Sequence, residues 1–392
     1  MNLKQIIEKN PNASLDLLVK KTNGEWSRER IRKVRSHLVK EGKLQPLRET
    51  SQNKTLTPEA EVEKDLTVRT LVEKKKNMDG KNKVLMDKIE MLSAQLEASR
   101  VLKDGSVHIV RSPKEYKESQ ATAVVICSDW HSEEKVTFDE TNGINEFNLK
   151  EFTKRADKFF VSTAKLVRAK QLSIPVKRLV LALIGDFITG NIHEENAETA
   201  QLLPMEALLN AQNHIEAGIR YLLENTNVDI VIPCHSGNHA RITKKIRHAT
   251  EAGNSLEYVM YHQLANLFKN EKRVKFCISP GYLSYLDIDG FVMRLHHGHA
   301  IKFAGGIGGI SISANKKIAQ WDKTRQANVD LFGHFHQFEV GRGRKFICNG
   351  SLSGYNAYAV NGGFEPEKPL QAFFLVNHTR KEITDICPVW LT

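Results

Sequence analysis

From about residue 105 the chain alternates short apolar runs with longer amphipathic ones. Residues 121–127, 176–184, 228–232 and 329–332 are mostly apolar and bounded by polar or Gly-containing stretches, the pattern of strands buried on both faces. Between them, 148–171 set Phe152, Ala156, Phe159 and Phe160 at helical spacing, and 198–224 read as a helix with a kink at Pro204. After the run at 228–232 a long helical region is expected, ending near 268. The last third is richer in strands. Residues 282–288 and 291–296 flank Asp289-Gly290, a type I′ hairpin signal, and a second hairpin brackets Gly341-Arg342-Gly343. Strands near 371–376 and 382–390 follow. This alternation predicts a layered α/β domain over 105–392.

The first hundred residues have a different rhythm. Residues 1–48 predict three short helices, the first with Leu3, Ile6 and Ile7 on one face, the second carrying Leu15, Leu17, Leu18 and Val19. Ser14 and Ser27 stand where they cap the second and third. The third helix carries Arg28, Arg30, Arg32, Lys33, Arg35 and Lys40 around Ile31, Val34 and Leu38. Residues 49–58 are a polar linker. The charged helical stretch 59–102, divided at Gly80, completes a connecting segment, 49–104. Leu85, Ile89, Leu92 and Leu96 repeat at coiled-coil spacing, though for under three heptads. The 81–101 helix therefore suits either self-association into a homo-oligomer or packing on the chain's own α/β domain.

Composition adds little until it is located. The chain is 41% apolar and 26% charged, as soluble globular proteins are, with no apolar run of transmembrane length and no signal-peptide pattern at its start. No membrane partner is expected. Five scattered cysteines without a CxxC pair point to a reducing, cytoplasmic setting. The formal charge of +11 favours polyanionic partners. Residues 1–100 hold 22 basic and 15 acidic side chains, so most of the excess lies there. Three small helices with a basic third one resemble a helix-turn-helix or winged-helix module, which implies a nucleic-acid reader. A small bundle that docks on protein fits the same pattern.

Chemistry enters where the apolar runs stop. Five of them end in candidate ligands: Asp129 and His131; Asp186; Asn238 and His239; His297; His334 and His336. In an α/β sheet such ends lie along one edge and can converge. Asp-x-His and His-x-His put alternate residues on one side of an extended segment. Carboxylates, imidazoles and one carboxamide suit manganese, iron, zinc or nickel better than calcium.

Asp129-x-His131, Gly185-Asp186, Gly237-Asn238-His239, His297-Gly298 and Gly333-His334-x-His336 resemble, in order, the five motifs of the calcineurin-like metallophosphoesterases. That resemblance implies a four-layer fold, two mixed sheets sandwiched between helices and preceded here by the small all-α module and helical linker. It implies two divalent metal ions, manganese foremost. Asp129, His131 and His336 would bind one metal, Asn238, His297 and His334 the other, and Asp186 would bridge them. His239 would protonate the leaving oxygen as water, activated by the metals, attacks phosphorus. The family often has an acid directly after the Asn-His pair. This chain has Ala240, and Glu194 or Glu195 is a candidate substitute. Elsewhere His235 reads as packing, His296 as facing away from His297, His299 as a neighbour of the site, and 305–309 as a flexible glycine loop beside it.

Arg241, Lys244, Lys245, Arg247 and His248 begin at the site, Arg342, Arg344 and Lys345 follow the last motif, and His193 follows the Asp186 loop. Arg241, Lys244 and His193 are the candidate substrate contacts. With the N-terminal module they favour a nuclease acting on nucleic acid, DNA foremost. Two alternatives remain: a phosphatase for phosphoproteins or small phosphoesters, and a nucleic-acid-binding protein with a vestigial metal site.

Overall fold

The structure, a computed structural model, describes residues 3–45, isolated helical positions between 70 and 86, the strand at 107–110, and residues 120–302 and 309–392. The chain divides into two compact units, Met1–Glu90 and Met91–Thr392.

In the first unit, α1 (Leu3–Lys9), α2 (Leu15–Lys21) and α3 (Arg28–Lys40) enclose a core of Leu3, Ile7, Leu18, Ile31, Leu38 and Leu44. Ser14 and Ser27 cap α2 and α3 by accepting from the N–H groups of Leu17 and Arg30. Arg35 departs from its expected place on a basic face. It is buried, and its guanidinium donates to the carbonyls of Ala13 and Pro11. The coiled-coil seam at 85–96 lies outside the described residues. Gly80, expected to divide the charged helix, has helical backbone.

The second unit holds two mixed sheets flanked by helices. The strands are β1 (Val107–Val110), β2 (Ala121–Cys127), β3 (Val176–Leu183), β4 (Asp229–Cys234), β5 (Val274–Ile278), β6 (Ser284–Ile288), β7 (Phe291–Leu295), β8 (Val329–Phe332), β9 (Glu339–Val340), β10 (Phe346–Cys348), β11 (Leu370–Asn377) and β12 (Glu382–Trp390). One sheet runs β12-β11-β2-β3-β4-β5, with β2 to β5 parallel; the other runs β1-β6-β7-β8-β10-β9. Strand β2 is buried throughout because it is covered on both sides. Its Val124 and Ile126 meet Leu286, Met293, Leu295 and Leu331 of the other sheet. Its Ala123, Val125 and Cys127 face the helical side, formed by α4 (Leu149–Gln171), α6 (Pro204–Asn225) and α7 (Leu256–Leu267), while the short α5 (Glu194–Thr199) buries no residue. On the far sheet, Phe332, Phe346 and Cys348 cluster with Ile310, Ala314 and Ile318 of α8 (Gly309–Trp321), and α9 (Ala357–Gly362) is a short late helix.

Two helical expectations are corrected. Pro204 does not kink a helix. It starts α6, at the first helical position, where the missing N–H costs nothing, and the Glu206 carboxylate accepts from the Leu203 N–H. The stretch 240–255 is not the expected α-helix, holding only a single 3-10 turn at Ala252–Asn254. Its ends are joined by Ile242 N–H to Asn254 O and Leu256 N–H to Ala240 O, so it folds back as a loop, with Ile242 65% exposed. Strand β5 was not anticipated. Asp289 and Gly290 both have positive φ, as a type I′ turn needs. Among the described residues no helix is long and apolar enough to cross a membrane.

Candidate metal centre

The candidate ligands lie past strand ends, but not on extended backbone. Asp129, His131, Asp186, His334 and His336 all adopt left-handed φ, between 45° and 71°. Left-handed backbone costs a non-glycine residue about 1–2 kcal/mol and concentrates where surrounding structure enforces it. The expected sharing of a strand face within Asp-x-His and His-x-His is therefore corrected: tight turns, not strand alternation, aim these side chains.

What enforces the turns is visible residue by residue. The segments after β2 and β3 stay bonded: Asp129 N–H donates to Gly185 O at 3.0 Å and Trp130 N–H to Asp186 O at 2.8 Å. Trp130, fully buried, packs edge-on against Phe152, Phe159, Phe160 and Phe187 and anchors the residue between the two ligands. Each carboxylate also holds the opposite loop. Asp186 Oδ1 accepts from His239 N–H at 2.8 Å, and Asp129 Oδ1 from His334 N–H at 2.9 Å. The glycines of Gly-Asn-His and Gly-His-x-His make this approach possible. A Cβ on Gly237 would lie 2.0 Å from Asp186 Oδ1, and one on Gly333 2.0 Å from Asp129 Oδ2.

The result is three groups of ligand atoms, each drawn together within 4.8 Å: Asp129, His131 and His336; His131, Asp186 and His239; Asp186, His297 and His334. His131 Nε2 and His336 Nε2 are 3.1 Å apart, and His297 Nε2 is 2.7 Å from Asp186 Oδ2. His297 Nδ1 donates to Ile184 O at 2.8 Å, which fixes the tautomer and leaves Nε2 for the centre. Asn238 is buried, and its Oδ1 has no hydrogen-bond partner. An oxygen without a donor and two imidazole nitrogens facing each other are costly unless a cation sits among them. The donor set fits a divalent metal of the manganese-to-zinc series. Protonation divides the ligands. Burial drives His131 and His334 well below the usual imidazole range, so both are neutral. Burial acts to raise Asp186, but His297 and His239 outweigh it and hold the carboxyl ionised. Burial acts to lower His297 and His336 as well, but Asp186 and Asp129 outweigh it and raise both, His297 to about 10, so a metal binding there displaces their protons.

His239 is not tied down by the acids expected for it. Glu194 and Glu195 lie exposed on α5, while His239 Nδ1 meets the Thr189 carbonyl at 2.8 Å. Arg241 is brought alongside, its Nη1 2.5 Å from the Asn238 carbonyl. Lys244 is exposed on the 240–255 loop and His193 is exposed at the start of α5; among the described residues no hydrogen bond or ion pair joins either to the cluster. His235 turns both ring nitrogens to carbonyls, and burial lowers its pKa to about 4. His296 stacks on Phe332, away from the centre. His299 borders the site, 5.7 Å ring to ring from His297 and paired to Glu251 at 2.8 Å. Residues 305–308 of the glycine loop lie outside the described residues, and Gly309 opens α8.

Two acids were missed. Glu257, fully buried near the start of α7, accepts from Phe187 N–H and Gly237 N–H, both at 2.7 Å, and so ties the Asp186 loop to the Asn238 loop. Glu133, also buried, accepts from the N–H groups of Thr189 and Gly190. Glu133 follows His131 by two positions, but Glu257 is far from any ligand on the chain, and nothing in the sequence marks either as a clamp.

The sequence matches no protein-family model, and no curated protein matches it. Solved structures similar to it include a hypothetical protein from Pyrococcus horikoshii OT3, 12% identical over 67% of this chain and 86% of that one, with a TM-score of 0.30. A protein of unknown function from Aquifex aeolicus is 11% identical over 62% and 94%, with a TM-score of 0.26. The Termus thermophilus sulfate thiohydrolase SoxB, solved with glycerol, is 10% identical over 70% and 57%, with a TM-score of 0.30. Likenesses this slight leave the functional reading to the geometry.

Proposed function

We propose that this chain is a two-metal phosphodiesterase of the calcineurin-like metallophosphoesterase kind, acting on nucleic acid, DNA foremost. The observation that carries it is Asp186, whose carboxylate lies within 4.8 Å of ring nitrogens of His131 and His239 in one group and of His297 and His334 in another. Asp129, His131 and His336 would hold one divalent ion, and Asn238, His297 and His334 the other, with Asp186 reaching both. Manganese is the first candidate, with iron, zinc or nickel as alternatives; when bound, such a pair supplies charge for a phosphoryl group and an acidified water. His239 carries the proton for the leaving oxygen, on the nitrogen turned from Thr189. Arg241, Lys244 and the other basic residues of the 240–255 loop bind backbone phosphates, and α3 adds Arg32 and Lys40.

A phosphatase for phosphoproteins or small phosphoesters is the second reading. The state of α3 favours it: Arg28 pairs with Asp16, Lys33 with Glu29, and Arg35 is buried, which lowers the charge left for DNA. Incubation with manganese and labelled DNA or RNA separates the two. Metal-dependent cleavage by wild type, lost in His239→Ala and Asp186→Ala, is the expected result. Turnover of aryl phosphomonoesters without cleavage of either polymer would transfer the case to the second reading.

A further inference from the structure

Ala240 stands where an acid would steady His239, and it is buried in the helical-side core, so any steadying carboxylate has to act from elsewhere. The hydrogen bonds around Thr189 trace a route. A carbonyl only accepts, so the 2.8 Å contact with Thr189 O fixes one proton on His239 Nδ1 and leaves Nε2 as the nitrogen that takes up and delivers the transferred proton. That carbonyl belongs to the same peptide unit as the Gly190 N–H. The Gly190 N–H donates to Glu133 Oε1 at 2.8 Å, and the Thr189 N–H donates to the same oxygen at 2.9 Å. Carboxylate, peptide and imidazole thus form one chain of hydrogen bonds. A carboxylate on the N–H end of an amide polarises it and strengthens its carbonyl as an acceptor. Thr189 also touches the next ring, its Oγ1 lying 3.2 Å from His131 Nδ1.

The backbone is shaped for this path. Gly190 has a φ of +62°, and a Cβ there would sit 2.7 Å from the His239 carbonyl oxygen. Only glycine lets the 189–190 peptide lie this close to His239. Glu133 itself is 1% exposed, so its charge reaches the peptide with little screening by water.

We propose that Glu133 is the positioning residue of His239, acting through the Thr189–Gly190 peptide in place of a carboxylate in direct contact. Its catalytic consequence rests on the phosphodiesterase reading; its geometry does not. Two measurements on full-length chains test it, comparing wild type, Glu133→Gln and Glu133→Ala. Glutamine keeps an acceptor oxygen for both N–H groups but removes the charge.

The first measurement is nitrogen-15 histidine NMR without added metal. The His239 Nδ1–H signal should be present in wild type, move in Glu133→Gln, and move further or vanish in Glu133→Ala. The second is hydrolysis with manganese of two phosphodiesters, one with a nitrophenolate leaving group and one with a nucleoside alkoxide. Only the alkoxide needs a proton from His239. The kcat of Glu133→Ala should therefore fall about 10-fold further on the alkoxide ester than on the nitrophenyl ester, with Glu133→Gln between. Equal losses on the two esters, or one His239 signal common to all three chains, would overturn the assignment. If wild type hydrolyses neither ester, the phosphodiesterase reading fails, and the NMR comparison alone decides whether Glu133 governs His239.

Discussion

Glu257 shows what single buried groups do here. Burial, with the nearby charge of Asp186, raises its pKa to about 8, against the pull of the Gly237 and Phe187 N–H groups. A carboxyl whose folded pKa exceeds its unfolded value adds stability that is complete below the unfolded pKa, near 4.3, and is lost as pH rises through the folded one. The metal-free chain should therefore melt at a lower temperature at pH 8 than at pH 5, and Glu257→Gln should flatten that slope; thermal scans across the range check it. Glu257→Ala should cost about 1–3 kcal/mol for each of the two N–H groups left unsatisfied. A slope unchanged in Glu257→Gln would remove Glu257 as its source. Neither Glu257 nor Glu133 was legible as a clamp. Their partners are backbone N–H groups 20 and 56 residues away in the chain, and such bonds leave no trace in periodicity.

Among the elements, the strands that carry ligands were the most legible, because a run buried on both faces is continuously apolar and its end is marked by Asp, Asn or His. The 240–255 loop was not. Ile242, Ile246 and Ala249 imitate helical spacing, yet Ile242 lies largely in solvent, and the loop is instead fixed by hydrogen bonds between its two ends. Strand β5 was hidden by Lys275 in a short, half-buried edge. Helix α3 was read correctly as a helix, but the partition of its charge was not. Arg35→Ala should destabilise the first unit by about 2 kcal/mol, since a buried guanidinium bonds two carbonyls there. Arg32→Ala, on the exposed side, should leave stability within about 0.5 kcal/mol and weaken binding to duplex DNA, with a shallower salt dependence. Amide exchange across α2 and α3 in the full chain reads the first effect, and DNA titrations at several salt concentrations read the second.

Over the whole molecule, two sheets bring five chain segments to one centre, so occupancy by metal should be felt as stability of the second unit. Manganese at about 100 times its dissociation constant should add about 2.7 kcal/mol, EDTA should reverse it, and Asp186→Asn should abolish the gain; calorimetry on the full chain measures all three. No change in melting temperature with any ion of the manganese-to-zinc series would count against the two-metal reading. The sheet order has another effect, on when the site can exist. Strand β2, which leads into Asp129 and His131, is bordered on one side by β3 and on the other by β11, paired as Phe373 to Val125 and Asn377 to Ala121. Gln371 of β11 also receives the Ser128 N–H, one residue before Asp129. A ribosome making the chain finishes β2 some 250 residues before it finishes β11. At about 5–20 residues per second, that leaves an apolar strand with one open edge for tens of seconds. The nascent chain therefore needs shelter for β2 throughout that interval, and a transcript cut short before residue 370 should yield a protein prone to clump rather than a smaller folded one.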